Sequence, residues 1–238
     1  MVASLEPERS GQSVEVTYAR LRAAILSGEL AAGSIVTQAR LTDVAETGRT
    51  PVREALRLLA GEGLVISEAN KRIMIAPLTP ADLEELELLR ISIECAAIRL
   101  TVPRLRVDDI ARLEGLFAEM GHYQRIADFD RFDVPHRQFH LALVTAMGPA
   151  TVKRLGELRD YDRRYRRLFA NVPNAAAEYA ARHAEHREIL DRATAGDAVG
   201  CARALAAHYG HSTSHIFAEL DPAYEPVRLR ALVEFYGE

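Results

Sequence analysis

The sequence predicts a mainly α protein in two parts: three helices closed by a small hairpin, then an all-α bundle of six or seven helices. Three observations carry this expectation. Apolar residues recur at helical spacing through most of the 238 positions. β-type runs are confined to Val65-Ile66 and Ile73-Met74-Ile75. Two prolines in Ala76-Pro77-Leu78-Thr79-Pro80 break regular structure, and Thr79 suits the N-cap of a helix beginning at Pro80. The expected division is 1–78, with a flexible polar tail over 1–12, and 79–238.

In the first part, Val16, Ala19, Leu21, Ala23, Ala24, Ile25 and Leu26 alternate with Arg20 and Arg22 as in a helix, which Gly28 stops. Ala32-Gly33 reads as a turn and Thr37 to Glu46 as a second short helix. The third helix starts near Arg49, buries Leu56, Leu58, Leu59 and Leu64, and is ended by Gly61 and Gly63. The two β-type runs then flank a polar tip, Ser67 to Arg72. Three helices plus a hairpin make a winged helix-turn-helix. In the second part, helices are expected over about 80–101, 107–121, 124–147, 150–170, 174–195 and 197–219, with one more short helix near the end. Breaks are expected at Pro103, Gly121, Gly148-Pro149, Asn171-Val172-Pro173 and Gly196.

The run Arg49-Thr50-Pro51-Val52-Arg53-Glu54-Ala55-Leu56-Arg57 opens the third helix. Arg49 and Arg53 are four apart, so they share one helix face, and Arg57 comes a turn later. A guanidinium bonds guanine O6 and N7 together or clamps a phosphate. Pro51 gives up an N–H that has no partner in a first turn. This is how a reading helix presents itself to double-stranded DNA, with Arg49, Thr50, Arg53 and Arg57 as contacts. Lys71 and Arg72 sit where the wing would meet the backbone or the minor groove.

Composition bounds the rest. The net charge of −4 is not that of a basic DNA binder, yet residues 18–78 hold eight Lys or Arg against six Asp or Glu. Affinity is therefore expected from local arginines and from two heads presented by a homodimer. No apolar run approaches the roughly 20 residues needed to span a bilayer, so no membrane partner is expected. The N-terminus lacks the apolar core of a signal peptide. Cys95 and Cys201 lie in apolar helical patterns and read as buried free thiols, which suits a cytoplasmic protein.

A second constellation lies in the helical part. His136 and His140 are four apart, and His186 and His208 lie on later helices. Three or four imidazoles converging near 2.0–2.2 Å from a common point would hold a divalent transition metal. Taken singly, each histidine is more often a surface or satisfied core residue.

Residues 18–79 resemble the DNA-binding domain of GntR-type bacterial transcriptional regulators. The matching pieces are Leu21-Arg22-x-x-Ile25-Leu26-x-Gly28-x-Leu30-x-x-Gly33, the Arg49-to-Leu56 block, and Gly63-Leu64-Val65. Where the family has Gly-Val-Ser before Arg-Thr-Pro, this chain has Glu46-Thr47-Gly48, leaving Thr47 or Thr50 to cap the helix. The wing's usual Arg-Gly is Lys71-Arg72.

The helical part resembles the FCD effector domain of the FadR subgroup. The matching pieces are Leu89-Arg90-x-x-Ile93-Glu94, Phe139-His140-x-x-Leu143, His186-Arg187-x-Ile189-Leu190 with Gly196-Asp197, and Ala204-x-x-x-His208. Many such domains hold Zn²⁺, Ni²⁺ or a similar ion with one aspartate and three histidines. His140, His186 and His208 match the histidines, and His136 stands where the aspartate would be. The implied set is His136, His140, His186 and His208, four neutral nitrogens that favour Zn²⁺ or Ni²⁺. Asp133, a turn earlier, is the alternative fourth ligand or an outer partner. Arg90 matches a cavity position, and the resemblance implies a small carboxylate effector there.

The expected protein is thus a bacterial regulator, most readily a repressor, whose operator binding responds to an organic acid. No His-Glu-x-x-His run supports hydrolysis, so no catalytic residue is assigned. The competing expectations are a ligand-blind DNA binder with a structural metal and a metal-dependent enzyme.

Overall fold

The computed structural model describes residues 8–67, 72–126, 128–168 and 175–237. The chain divides into two compact units, Met1–Leu78 and Thr79–Glu238.

In the first unit, α1 (Glu8–Ser27) is longer than the apolar periodicity suggests and takes in the last five residues of the stretch expected to be a tail. Its inward face is Leu21, Ala24, Ile25 and Leu26, while Val16 is exposed and Thr17 is buried with its hydroxyl donating to Ser13 O at 2.6 Å. Gly28 ends the helix at φ +79°. Arg22 bonds Glu62 at 2.8 Å and ties α1 to the end of α3. Next come β1 (Ile35–Val36), α2 (Gln38–Ala45) and α3 (Arg49–Gly61). The wing strands β2 (Val65–Ser67) and β3 (Ile73–Ile75) complete the unit. The sheet order is β1-β3-β2, all antiparallel, with Ile35 opposite Met74 and Ile66 opposite Met74 on the other side. The two-residue β1 was not expected. It is too short to show a period of two.

Helix α3 buries Val52, Ala55 and Leu59, so Leu58, expected inside, instead faces solvent at 51% exposure. The i, i+3, i+4 geometry decides this, because Leu58 lies off the stripe that Val52, Ala55 and Leu59 define.

The second unit contains seven α-helices among the described residues: α4 (Pro80–Thr101), α5 (Val107–Arg125), α6 (Phe129–Ala142), α7 (Pro149–Arg166), α8 (Ala175–Thr194), α9 (Ala198–Leu220) and α10 (Val227–Gly237). Thr79 caps α4 by accepting from the Asp82 N–H at 3.2 Å. Helix α4 packs along α9, and Ile91, Cys95, Ile98, Cys201 and Leu205 are buried within the unit. Both cysteines are free thiols, and burial pushes Cys201 up to about 12. Gly121 does not break a helix. It lies inside α5, where a Cβ would come within 3.0 Å of the His183 ring. Instead α5 runs on to Arg125 and α6 begins at Phe129, where the Asp128 side chain caps it by accepting from Arg131 N at 3.0 Å.

One carboxylate fastens the end of the chain. Glu84 on α4 accepts from the backbone N–H groups of Arg228 and Leu229 at 3.0 and 3.1 Å, and from the Arg228 guanidinium at 2.8 Å. An acid at the first turn of α10 satisfies donors that have no helical partner.

Candidate metal centre and DNA-contacting face

On α3, Arg49, Thr50, Arg53 and Arg57 are all exposed. Among the described residues neither Arg49 nor Arg53 has an ion pair, whereas Arg57 bonds Glu54 at 3.1 Å on the same helix. Gly48 occupies the N-cap with no side-chain bond, so neither Thr47 nor Thr50 caps the helix. The turn before it places Glu46 in the left-handed region at φ +49°. That is the position where the GntR resemblance has glycine, and the structure shows why: an L side chain there is strained. Arg20 bonds both Ala45 O at 2.9 Å and Glu46 Oε2 at 2.7 Å and holds the strained residue. Arg72 is exposed just before β3, and Lys71 lies outside the described residues.

In the second unit, His136 and His140 of α6, His186 of α8 and His208 of α9 come together. One potential ligand atom from each lies within 4.8 Å of the others, and none of the four residues is more than 6% exposed. Burial, aided by neighbouring cations and by one another, holds all four well below the ordinary histidine range. They are therefore neutral, which is the state a metal needs. His140 Nε2 and His186 Nε2 are 3.1 Å apart. His186 Nδ1 meets Arg182 O at 2.7 Å and His208 Nδ1 meets Glu185 Oε2 at 2.7 Å. These outer acceptors fix the tautomer and turn a lone pair inward, as they do around bound metals. Two ring nitrogens at 3.1 Å repel unless a proton or a cation lies between them. On donor type, burial and outer partners the set fits a borderline divalent ion such as Zn²⁺ or Ni²⁺.

Asp133 does not join this set. Its carboxylate takes Arg163 and Arg166, each at 2.6 Å. Arg166 in turn bonds Asp162 at 2.8 Å and brings its Nη1 to 3.4 Å from His136 Nδ1.

Arg90, expected to offer a guanidinium to a ligand, is instead buried and already paired. It meets Glu87 at 2.6 Å and Asp162 at 3.1 Å, with Glu94 at 3.6 Å, and its Cζ lies 4.3 Å from the Tyr209 ring centre. Arg159 binds Glu94 and the Tyr209 hydroxyl, which itself donates to Glu94 at 2.7 Å. Arg159 and Arg164 are likewise buried. Burial pushes the Glu87 carboxyl up to about 8, and Asp162 and Glu94 beside it add to the shift. Asp162 is the reverse case: Arg90 and Arg166 outweigh its burial and hold it low. The signal for the Arg90 pairing was in the sequence, since Glu87 and Glu94 flank Arg90 at i−3 and i+4.

Residues 13–75 match the model of bacterial regulatory proteins of the gntR family, and residues 85–211 match that of the FCD domain. The chain belongs to the GntR family and carries an FCD domain. An HTH-type transcriptional regulator of Paraburkholderia xenovorans, BphR, is 34% identical over 212 residues, 84% of each chain. A probable D-xylose utilization operon transcriptional repressor of Paenarthrobacter nicotinovorans is 27% identical over 206 residues, 84% of this chain and 88% of that one. Among solved structures, McbR/YncC of E. coli superposes with a TM-score of 0.75 at 20% identity, over 93% of this chain and all of that one. This GntR-FCD protein is a bacterial transcriptional regulator, and its family is one of regulators rather than enzymes. No described helix is long and apolar enough to cross a membrane.

Proposed function

We propose that this regulator is a cytoplasmic homodimeric repressor that leaves its operator when a small carboxylate binds beside a metal in the FCD domain. The observation that carries the reading is the buried convergence of four neutral imidazoles within 4.8 Å, ringed by guanidinium groups. His140, His186 and His208 would hold the ion, with His136 beside them. The bound ion supplies an electrophilic position that attracts a carboxylate oxygen. These neutral donors bring no negative charge to offset the ion, and Arg159, Arg166 and Arg90 lie close by, so the site prefers an anion. The Arg90 nitrogen that meets Glu87 and Asp162 can receive the effector by exchange with one of these carboxyls. Glu87 is the one to yield, because it is the carboxyl that burial keeps protonated.

Helix α7 gives such binding a route out. It carries Arg159, Asp162 and Arg166 toward the histidines, and Tyr161 and Tyr165 toward the start of α4. The Tyr161 hydroxyl donates to Asp82 at 2.9 Å, Tyr165 also bonds Asp82, and the Thr79 N–H donates to the Tyr165 hydroxyl at 3.4 Å. Thr79 is the first residue after the DNA-binding unit. A ligand that shifts α7 therefore acts on the segment to which the heads are joined. The effect on DNA affinity is bounded by the ligand's differential affinity for the two arrangements, typically about 1–3 kcal/mol. Arg49, Thr50, Arg53 and Arg57 of each head would read or clamp the duplex, with Arg72 and Lys71 on the wing.

The test is a gel-shift series on DNA upstream of the chain's own gene, with metal-loaded protein and a panel of mono- and dicarboxylates. The expected result is a loss of about 5–150-fold in affinity with one acid, matched by a rise in melting temperature from that acid. If no acid changes either quantity, the sensing role fails and the ligand-blind reading, which the pairing of Arg90 with Glu87 and Asp162 favours, replaces it.

A further inference from the structure

We infer that His136 is a hydrogen-bond donor to an anion held at His140, His186 and His208, and not a fourth metal ligand. The inference rests on the metal reading above and on where the hydrogens must sit. The Arg182 carbonyl can only accept, so His186 Nδ1 carries a hydrogen and its Nε2 keeps a lone pair. The Glu185 carboxylate makes the same choice for His208. The Tyr209 hydroxyl spends its proton on Glu94, so toward His140 Nδ1, at 3.5 Å, it accepts. Without an ion, His140 Nε2 and His186 Nε2 share one hydrogen at 3.1 Å; once that hydrogen moves to His140 Nδ1, all three Nε2 atoms have lone pairs to offer an ion.

His136 meets the opposite partner. Its Nδ1 faces Arg166 Nη1 at 3.4 Å, and a guanidinium has hydrogens to give and no lone pair to offer. Arg166 is pinned by Asp133 at 2.6 Å and Asp162 at 2.8 Å, so it stays in place. Whether the imidazole is neutral or charged, its Nε2 then carries a hydrogen. A nitrogen in that state cannot ligate a metal. Three inward nitrogens leave a position for an outside ligand, and the His136 Nε2–H beside it favours an anion. An aspartate at this position would add negative charge and repel the same anion, so this chain is built for a tighter grip on it.

The experiment uses full-length protein, Co²⁺ as the metal and azide as the anion. In ¹⁵N-histidine spectra of the metal-free protein, His136 is expected in the Nε2–H form, His186 and His208 in the Nδ1–H form, and His140 with its hydrogen on Nε2, toward His186. In Co²⁺ titrations followed by visible absorption, His136→Gln should bind within about tenfold of wild type, the range of an outer partner. His140→Ala should lose well over 100-fold. Azide should bind the Co²⁺ form of His136→Ala at least fivefold more weakly than wild type, and His136→Gln, which keeps a donor, should recover part of that loss. Wild type that takes up no Co²⁺ overturns the metal reading itself. Uptake by wild type with an equal loss in His136→Gln and His140→Ala, or an Nδ1–H form at His136, overturns this inference alone.

Discussion

The arginines of α3 and those facing the histidine centre have the same chemistry and opposite circumstances. Arg49 and Arg53 stand exposed with no ion pair among the described residues. Arg90 and Arg159 are each 2% exposed and held by Glu87, Glu94 and Asp162. A guanidinium kept in water costs the fold little and stays available to a phosphate or a base edge. A buried guanidinium is committed, because removing its partners would strand a charge in a dry interior. The contrast separates guanidinium groups available to a partner from those that shape a site, and it can be broken in graded ways.

The largest effect is expected at the buried end. Arg90→Met leaves Asp162 and Glu94 without their shared cation and should destabilise the FCD domain by about 3–5 kcal/mol, read from urea unfolding. Near-unchanged stability would place Arg90 in the exposed class and reopen it as a free effector contact. A smaller effect is expected at the turn before α3. Glu46 holds φ +49°, so Glu46→Gly should relieve about 1 kcal/mol of left-handed strain, less what the lost Arg20 contact gave. A higher melting temperature with unchanged operator affinity is the expected pair of results, and a lower one would mean that the Arg20 contact outweighs the strain.

A third test is a pH slope. The Glu87 carboxyl sits at about 8 in the folded chain against 4.5 when unfolded. A raised folded value means that the unfolded state gives up its proton first. The contribution is therefore fully present below about 4.5 and lost as pH rises through about 8. Melting temperature should fall across that window in the wild type, and Glu87→Gln should flatten the fall. An unchanged slope would show that Glu87 is ionised throughout and that Arg90 is fully engaged by it.

Much of this was legible in the sequence. The Arg49–Arg53 face, the cap at Thr79 and the helix ends at Gly28 and Gly61 all rest on local spacing, which survives folding. The histidine set needed more: His136 and His140 declare themselves by an i, i+4 step, but their meeting with His186 and His208 depends on how α6, α8 and α9 pack. Other features were not readable. Strand β1 has two residues and no period. Gly121 looked like a break because glycine is a poor helix former, yet a tight approach to His183 holds it inside α5. The hydrogen placement on His136 is set by Arg166, thirty positions away, and no local pattern predicts that contact.

The central claim is that the free guanidinium pair on α3 confers operator recognition. Fluorescence anisotropy with labelled upstream DNA, comparing wild type with Arg49→Ala/Arg53→Ala, tests it most directly. At about 1–3 kcal/mol for each bidentate contact, the double variant should bind at least 100-fold more weakly and lose its preference over scrambled DNA. Its melting temperature should stay the same. Equal affinity and equal preference in the two proteins would contradict the account.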